Sequence, residues 1–595
     1  MTMGGARTKK RSDDSFEEAS PASTAGNGMP PRQKEERFGR VGTVLVACLI
    51  TLPFLVFFLA GRDSAATVWQ SASAKLTAMS AGCANSSHAS TTGETTKADE
   101  LFGGLLAAGM DRGACRSRYQ SPKYYRHSPH PPSPHLLHKL RAYEARHRRC
   151  GPGTPLYAKS VEQLRSGRST EAMECNYVVW LPYNGLGNRM LSLISVFLYA
   201  LLTDRVLLLH AGDDFAGLFC EPFPEATWLL PPDFPVANLS RLGWTTDQSY
   251  TNLLREKKIV NEPATAATAT ARSAPAYVHL NLGHDARFTD TLFYCDDDQR
   301  VLSKVNWLLL LSDLYFVPSL YAVTAFQDEL QRLFPAKESV AHLLARYLFH
   351  PTNPVWRLVT RYYRTYLAHA KERIGMQIRV FSWASVPVDD MYKQILACSR
   401  QERILPDIDG DDAAAAATAT PEPGRRNATS GEDMEEDMDT DMDGAGSTAI
   451  LIASLHADYY ERIRSMYYEH AAKGGAAVSV FQPSHEERQA TGRQTHNQKA
   501  LAEIYLLSFS DVLLTSGMST FGYMSSSLAG LRPAMLHTAY NHKVPETPCS
   551  RVVSMEPCLH APPRVKCQRK AASKVDLARH VKACEDVGRG LKMFD

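Results

Sequence analysis

Hydrophobic and polar positions change their period several times along this chain, and each change predicts an element. Residues 177–181 form an unbroken aromatic and β-branched run that stops at the turn residues 182–187. That pattern predicts a buried strand, then an apolar helix over 189–203 and a second strand over 206–210. Together these make one βαβ unit. A second alternating region starts near Gly375. Its predicted strands are 376–381, 450–454, 478–482, 511–515 and 534–537, and its predicted helices are 459–468, 499–509 and 521–528. The stretch between the two regions, 301–369, reads as largely helical. Upstream, the prolines of 128–134 predict extended chain, and 136–149 a helix, in a segment expected to wrap the body. Short apolar strands alternating with helices specify an α/β fold with parallel sheets. Two such halves facing a cleft would hold a ligand at the C-terminal ends of their strands.

An apolar run over 41–60 is long enough, at roughly 1.5 Å per helical residue, to cross the roughly 30 Å of a bilayer interior. Arg32, Lys34, Arg37 and Arg40 precede it, whereas Arg62 is followed by no basic residue until Lys75. The positive-inside rule therefore predicts a single-pass type II anchor with a cytosolic N-terminus. A cleaved signal peptide has a shorter apolar core and a far shorter basic region. The resulting division is a cytosolic tail at 1–40, an anchor at 41–61 and a disordered stem at 62–100. A first folded domain follows at 101–370 and a second at 371–545. A low-complexity insert lies at 406–448, and a disulfide-rich extension occupies 546–595.

Lumenal placement makes Cys83, Cys115, Cys150, Cys175, Cys220, Cys295, Cys398, Cys549, Cys558, Cys567 and Cys584 candidates for disulfides. The number is odd, and Cys83, in the stem, is the expected unpaired thiol. The last four read as staples of the C-terminal extension. A zinc site is the alternative, but their spacing lacks the short ligand pairs that zinc sites use. Sequons at Asn85, Asn238 and Asn427 fit the same compartment. Of the 595 residues 44% are hydrophobic and 22% charged, an ordinary globular composition, and the net charge of +3 argues against nucleic acid as a partner.

The turn Tyr183-Asn184-Gly185-Leu186-Gly187-Asn188-Arg189 follows a strand and opens a helix, so its amides can approach an anion. It lacks the third glycine of a dinucleotide fingerprint and the Gly-Lys-Ser/Thr of a P-loop. The bland alternative is a turn that needs glycine only for close packing. Residues 181–210, LPYNGLGNRMLSLISVFLYALLTDRVLLLH, resemble the plant xyloglucan fucosyltransferase family of inverting α-1,2-fucosyltransferases. Three further blocks carry the same resemblance: GMQIRVF from Gly375, TSGMSTFGY from Thr515 and SMEPC from Ser554. Gly517 and Met518 depart from the Ala-Trp pair usual in the family.

The resemblance implies a GT-B type architecture, with two Rossmann-like domains and the donor GDP-fucose held mainly by the second. It implies an acceptor that is a galactosylated cell-wall polysaccharide, xyloglucan first, or a glycoprotein glycan such as that of arabinogalactan proteins. It also implies a Golgi membrane location and leaves the oligomeric state open, a homodimer included. Arg379 would stabilise the charge that develops on the departing diphosphate, because guanidinium is always charged and donates paired hydrogen bonds. Gln377, Ser516, Ser519, Thr520, Phe521 and Gly522 would hold the nucleotide, with Gly187, Asn188 and Arg189 closing from the other domain. Helix capping is the plainer role for each hydroxyl residue, and an ion pair the plainer role for Arg189. Asp285 and Asp290, then His284, are candidates for taking the acceptor's proton, against the commoner role of Asp in turns.

No metal or other cofactor is expected. The formal D-x-D pairs Asp296/Asp298 and Asp439/Asp441 fall at a predicted helix start and in an acidic low-complexity run. Two other readings stand beside this one: a transferase of another GDP-sugar, and a catalytically silent, membrane-tethered glycan-binding subunit.

Overall fold

Strands built from continuous apolar runs need cover on both faces, and two parallel sheets supply the frame here. The computed structural model describes residues 101–595, apart from 172, 211, 260–273, 410–445, 565–566 and 568–578. The first sheet has the order β2-β1-β4-β3, all parallel, with β1 Tyr177–Pro182, β2 Val206–Leu209, β3 Tyr277–Asn281 and β4 Trp307–Ser312. The second has the order β10-β9-β8-β5-β6-β7. Its parallel strands are β5 Glu372–Ile378, β6 Ser447–Ser454, β7 Ala477–Phe481, β8 Val512–Ser516 and β9 Ala534–Leu536, and β10 Cys549–Arg551 is antiparallel at the edge.

Successive side chains point to opposite faces of a strand, which divides the core into three parts. Val178 and Trp180 point into a large central core, while Tyr177, Val179 and Leu181 pack with Val161 and Leu164 on the far face of the first sheet. In the second sheet Ile450 and Ile452 join Ile374, Met376 and Ile463 on one face, and Leu451 and Ala453 turn to the central core. That central core also takes Leu193, Phe197, Tyr347, Tyr505 and Met524, so one apolar mass runs from the first sheet to the second.

Two expectations need correction. Residues 301–369 are not simply helical, because β4 lies within them and forms an interior strand of the first sheet between β1 and β3. Its run of four leucines, Leu308–Leu311, satisfies helix and strand patterns alike, and pairing with β1 decides the matter. The C-terminal segment is likewise not stapled only to itself. Cys558–Cys584 is internal, but Cys549 bonds Cys398 and Cys567 bonds Cys295, across separations of 151 and 272 residues. Cys115–Cys220 and Cys150–Cys175 complete five bridges among the described residues. Cys83 lies outside the described residues, as does the expected membrane run 41–60. Among the described residues no helix is long and apolar enough to cross a membrane.

The upstream segment does pack on the body. The helix Pro134–Cys150 begins at Ser133, whose hydroxyl accepts from the Leu136 amide, and it buries Leu136, Leu140 and Tyr143. Before it, the Tyr124 ring stacks on Phe509 at 5.2 Å and Arg126 pairs with Asp511 at 2.9 Å, tying this segment to the second half.

The SMEPC block has a structural use. Glu556 is fully buried, accepts the Ala341 amide at 2.7 Å and accepts the Tyr315 hydroxyl, linking the C-terminal segment to two elements of the first half. Burial pushes its carboxyl up to about 8. Folding therefore favours the protonated form, and this contribution is present below the unfolded value near 4.3 and lost as pH rises through 8. Glu503 and Asp290, each raised by burial to about 7, act in the same direction. Buried histidines such as His147 and His279, lowered by burial to about 4, act in the opposite direction below the unfolded histidine value near 6.5. The signature of Glu556 is therefore a difference: as pH is raised from 5 to 8, the melting temperature of Glu556→Gln, neutral throughout, should rise relative to that of the parent. A differential scanning fluorimetry series at matched ionic strength tests this, and an unchanged slope in the variant would remove Glu556 as a source.

Candidate active site

The C-terminal ends of β5, β6 and β8, with the loop after β7, face the turn that follows β1 across a cavity of about 280 Å³. Ligands of open parallel sheets bind at this end of the strands. Asn184 takes the left-handed conformation in the β1 turn (φ 64°), which Asn tolerates better than most residues. Gly185 then caps the helix Leu186–Leu202, which starts three residues earlier than the sequence pattern predicts. Gly187 and Asn188 thus fall in its first turn and line the cavity.

Arg379 is the first residue after β5 and lines the same cavity. Its backbone amide donates to Ser516 Oγ at 2.9 Å, its guanidinium donates to Gln489 Oε1 at 2.9 Å, and the group lies 5.5 Å from the Phe381 ring centroid. Among the described residues no carboxylate pairs with it, and burial lowers its pKa. A half-buried cation without a counter-ion is costly to hold, and an anionic ligand would relieve that cost.

Opposite the β1 turn, the helix Thr520–Ala529 also directs its N-terminus at the cavity. Ser519 stands at its N-cap, yet its side chain makes no capping bond and the residue lines the cavity. The plain capping role therefore does not apply to Ser519. Thr520 Oγ1 donates to Asn188 Oδ1 at 2.9 Å, joining the first turns of the two helices. Two helix N-termini meet here, and each carries unpaired amides and a partial positive charge.

Gly187, Asn188, Gln377, Arg379, Ser519, Thr520 and Phe521, all expected at the donor site, line this one cavity. Others expected there do not. Ser516 is buried beneath the cavity, where its hydroxyl and amide bond Gln377 and Arg379 and so fix the Arg379 backbone. Gly522 packs so closely that a Cβ would lie 2.9 Å from Gln377 Oε1, so it serves packing. Arg189 is buried, pairs with Asp214 at 2.7 Å and is absent from the lining. Its position in an apolar helix turns it away from Asn188 by one residue's rotation.

Of the acceptor-side candidates, Asp285 is exposed and accepts from its neighbour Asn281 at 2.9 Å, a local turn contact. Asp290 is buried in the short helix Phe288–Thr291, and neither carboxylate lines the cavity. Asp296 and Asp298 occupy the first turn of the helix Asp296–Leu302, where Asp298 accepts the Tyr250 hydroxyl. Asp439 and Asp441 lie outside the described residues.

Three features of the site escaped the sequence reading. Asp313, just past β4, is buried and accepts His284 Nδ1 at 2.6 Å and Asn184 Nδ2 at 2.7 Å. Missing β4 as a strand hid this strand-end carboxylate, and the polar Ser312-Asp313 that ends a leucine run was the available signal. His560, from the C-terminal segment, lines the cavity and contacts the Tyr523 hydroxyl at 3.0 Å, which itself donates to Asp586. No local pattern announces it, since the Cys558–Cys584 bridge brings it there. Glu503 is buried, accepts the Ser484 hydroxyl and lines the cavity together with Glu486, itself paired with Lys499 and His496. The lining thus carries two carboxyl groups as well as the Arg379 guanidinium.

Residues 74–568 match the xyloglucan fucosyltransferase family. A galactoside 2-alpha-L-fucosyltransferase from Pisum sativum is 46% identical over 499 residues, covering 84% of this chain and 82% of that protein. One from Arabidopsis thaliana is 44% identical over 497 residues, covering 83% of each. Among solved structures, a mutant of Arabidopsis thaliana FUT1 in complex with GDP superimposes with a TM-score of 0.71 at 43% identity, over 83% of this chain and all of that one.

Proposed function

Because this chain belongs to the xyloglucan fucosyltransferase family, we propose that it transfers fucose, with inversion, from GDP-fucose to the 2-hydroxyl of galactose on xyloglucan side chains. The observation that carries this reading is Arg379, a cation with no carboxylate partner among the described residues, set in a cavity where two helix N-termini converge. A nucleoside diphosphate sugar meets that arrangement with its diphosphate. The Glu503 carboxyl in the same lining can accept from the N–H donors of a guanine edge. The Arabidopsis relative with GDP bound supports the same choice of nucleotide.

As the fucosyl–phosphate bond breaks, charge grows on the β-phosphate. Arg379 and the amides at the start of the helix Thr520–Ala529 stabilise it without reorganising, which is where such catalysis draws most of its effect. In this reading the two sheets are the halves of a GT-B type fold, and positive groups of the chain take the part a metal ion plays elsewhere. Five disulfides and the exposed sequon residue Asn238 support a lumenal catalytic part, and the 41–60 run supports a Golgi membrane anchor.

Purified protein incubated with GDP-fucose and a panel of galactosylated xyloglucan and arabinogalactan oligosaccharides should yield an α-1,2-fucosylated xyloglucan galactose by NMR. Product on arabinogalactan alone would move the acceptor, and no product with any member, GDP-mannose and UDP-galactose included as donors, would sink the transferase reading.

A further inference from the structure

We propose that His284, held by Asp313, is the base that takes the proton of the acceptor hydroxyl, an inference that rests on the fucosyl-transfer reading above. Asp313 is 4% exposed and its carboxylate is filled by donors: His284 Nδ1 at 2.6 Å and Asn184 Nδ2 at 2.7 Å on Oδ2, and the His284 amide at 3.1 Å on Oδ1. A carboxylate only accepts, so the histidine proton sits on Nδ1 and the lone pair on Nε2. The His284 side chain is 53% exposed, so Nε2 is open to a ligand, and the ring stacks at 16° against Tyr183, fixing its plane. Buried carboxylate, oriented imidazole and open Nε2 are what a general base requires.

Neither His284 nor Asp313 lines the donor cavity itself, and the dyad is tied to it through Asn188, which does. The Asp313 carbonyl accepts Asn188 Nδ2 at 3.3 Å, and Asn188 in turn accepts Thr520 Oγ1 at 2.9 Å, at the proposed diphosphate end. Arg379 and Thr520 come from the second half of the fold, and the dyad from just past β3 and β4 in the first. In the transfer step the acceptor oxygen bonds fucosyl C1 as its proton passes to His284 Nε2. The bond from C1 to the β-phosphate oxygen breaks, and its electron pair leaves with the phosphate. Asp313 is a positioning residue that stabilises the imidazolium so formed. Asp285 and Asp290 have no part in the step.

His284 is exposed, so His284→Ala should fold. The variant should lose kcat by about 10²- to 10⁴-fold, bind GDP within threefold of the parent by calorimetry, and regain part of its kcat with added imidazole. Asp313→Asn should lower kcat in the same sense with the KM for GDP-fucose little changed. A His284→Ala protein with kcat within fivefold of the parent, or one that loses GDP binding in proportion to rate, would overturn the assignment. A parent protein that binds no GDP would overturn the donor reading beneath it, and the inference with it.

Discussion

Replacing Arg379 by alanine should lower kcat for fucosyl transfer by about 10²- to 10³-fold, which is about 2.7–4 kcal/mol of transition-state stabilisation. The guanidinium makes one hydrogen bond, to Gln489, and lies against Phe381, so little of the fold depends on it. The backbone bond from its amide to Ser516 survives any side-chain change. Melting temperature should therefore stay within a few degrees while rate collapses. Arg379→Lys keeps the charge but not the planar fork, and should recover only part of the loss, because a point charge cannot make paired bonds to phosphate oxygens. Steady-state kinetics on both variants, with thermal melts beside them, test the argument. Full activity in Arg379→Ala would remove the observation on which the functional reading stands.

The second large effect is expected from one methyl group. A Cβ on Gly187 would lie 2.6 Å from Thr520 Oγ1, 2.8 Å from the Thr520 carbonyl carbon and 3.0 Å from the Phe521 amide nitrogen. Two of these are backbone atoms of the helix start proposed to hold the diphosphate, so the strain cannot be relieved by a rotamer change. Gly187→Ala should push the two helix N-termini apart and break the Thr520–Asn188 bond. A displacement near 1 Å at a reacting centre costs on the order of 10²-fold in kcat/KM. Gly185→Ala is the comparison: its nearest obstacle is Gln489 Nε2 at 3.0 Å, the end of a flexible side chain that also holds Arg379, so it should cost activity but less than Gly187→Ala. Equal losses in the two variants would mean that close approach at Gly187 is not the cause.

These effects depend on contacts that the sequence announced unequally. The βαβ unit at 177–210 and nearly every strand of the second sheet were legible, because runs such as Ile450–Ala453 and Val512–Leu514 match a buried parallel strand and little else. Arg379 was singled out by the resemblance of the GMQIRVF block to a known family, and a charge just past an apolar strand agrees with that choice. β4 was not, because a leucine run fits helix and strand equally, and with β4 went Asp313. Ser516 and Gly522 were assigned to the ligand when their work is to seat Arg379 and to pack beneath it, since a motif marks a neighbourhood and not the direction in which each side chain points.

By itself, then, the sequence determined the α/β alternation and most of the strands, because these follow from local periodicity, and its resemblance to a known family singled out Arg379. Only the tertiary structure decided which residues share the site. His284 meets Asp313 across 29 residues and Asn188 meets Thr520 across 332, while His560 reaches the cavity through a fold stapled at Cys295–Cys567 and Cys558–Cys584. Contacts of that range depend on sheet order and helix packing, and neither is written in any local stretch of the chain.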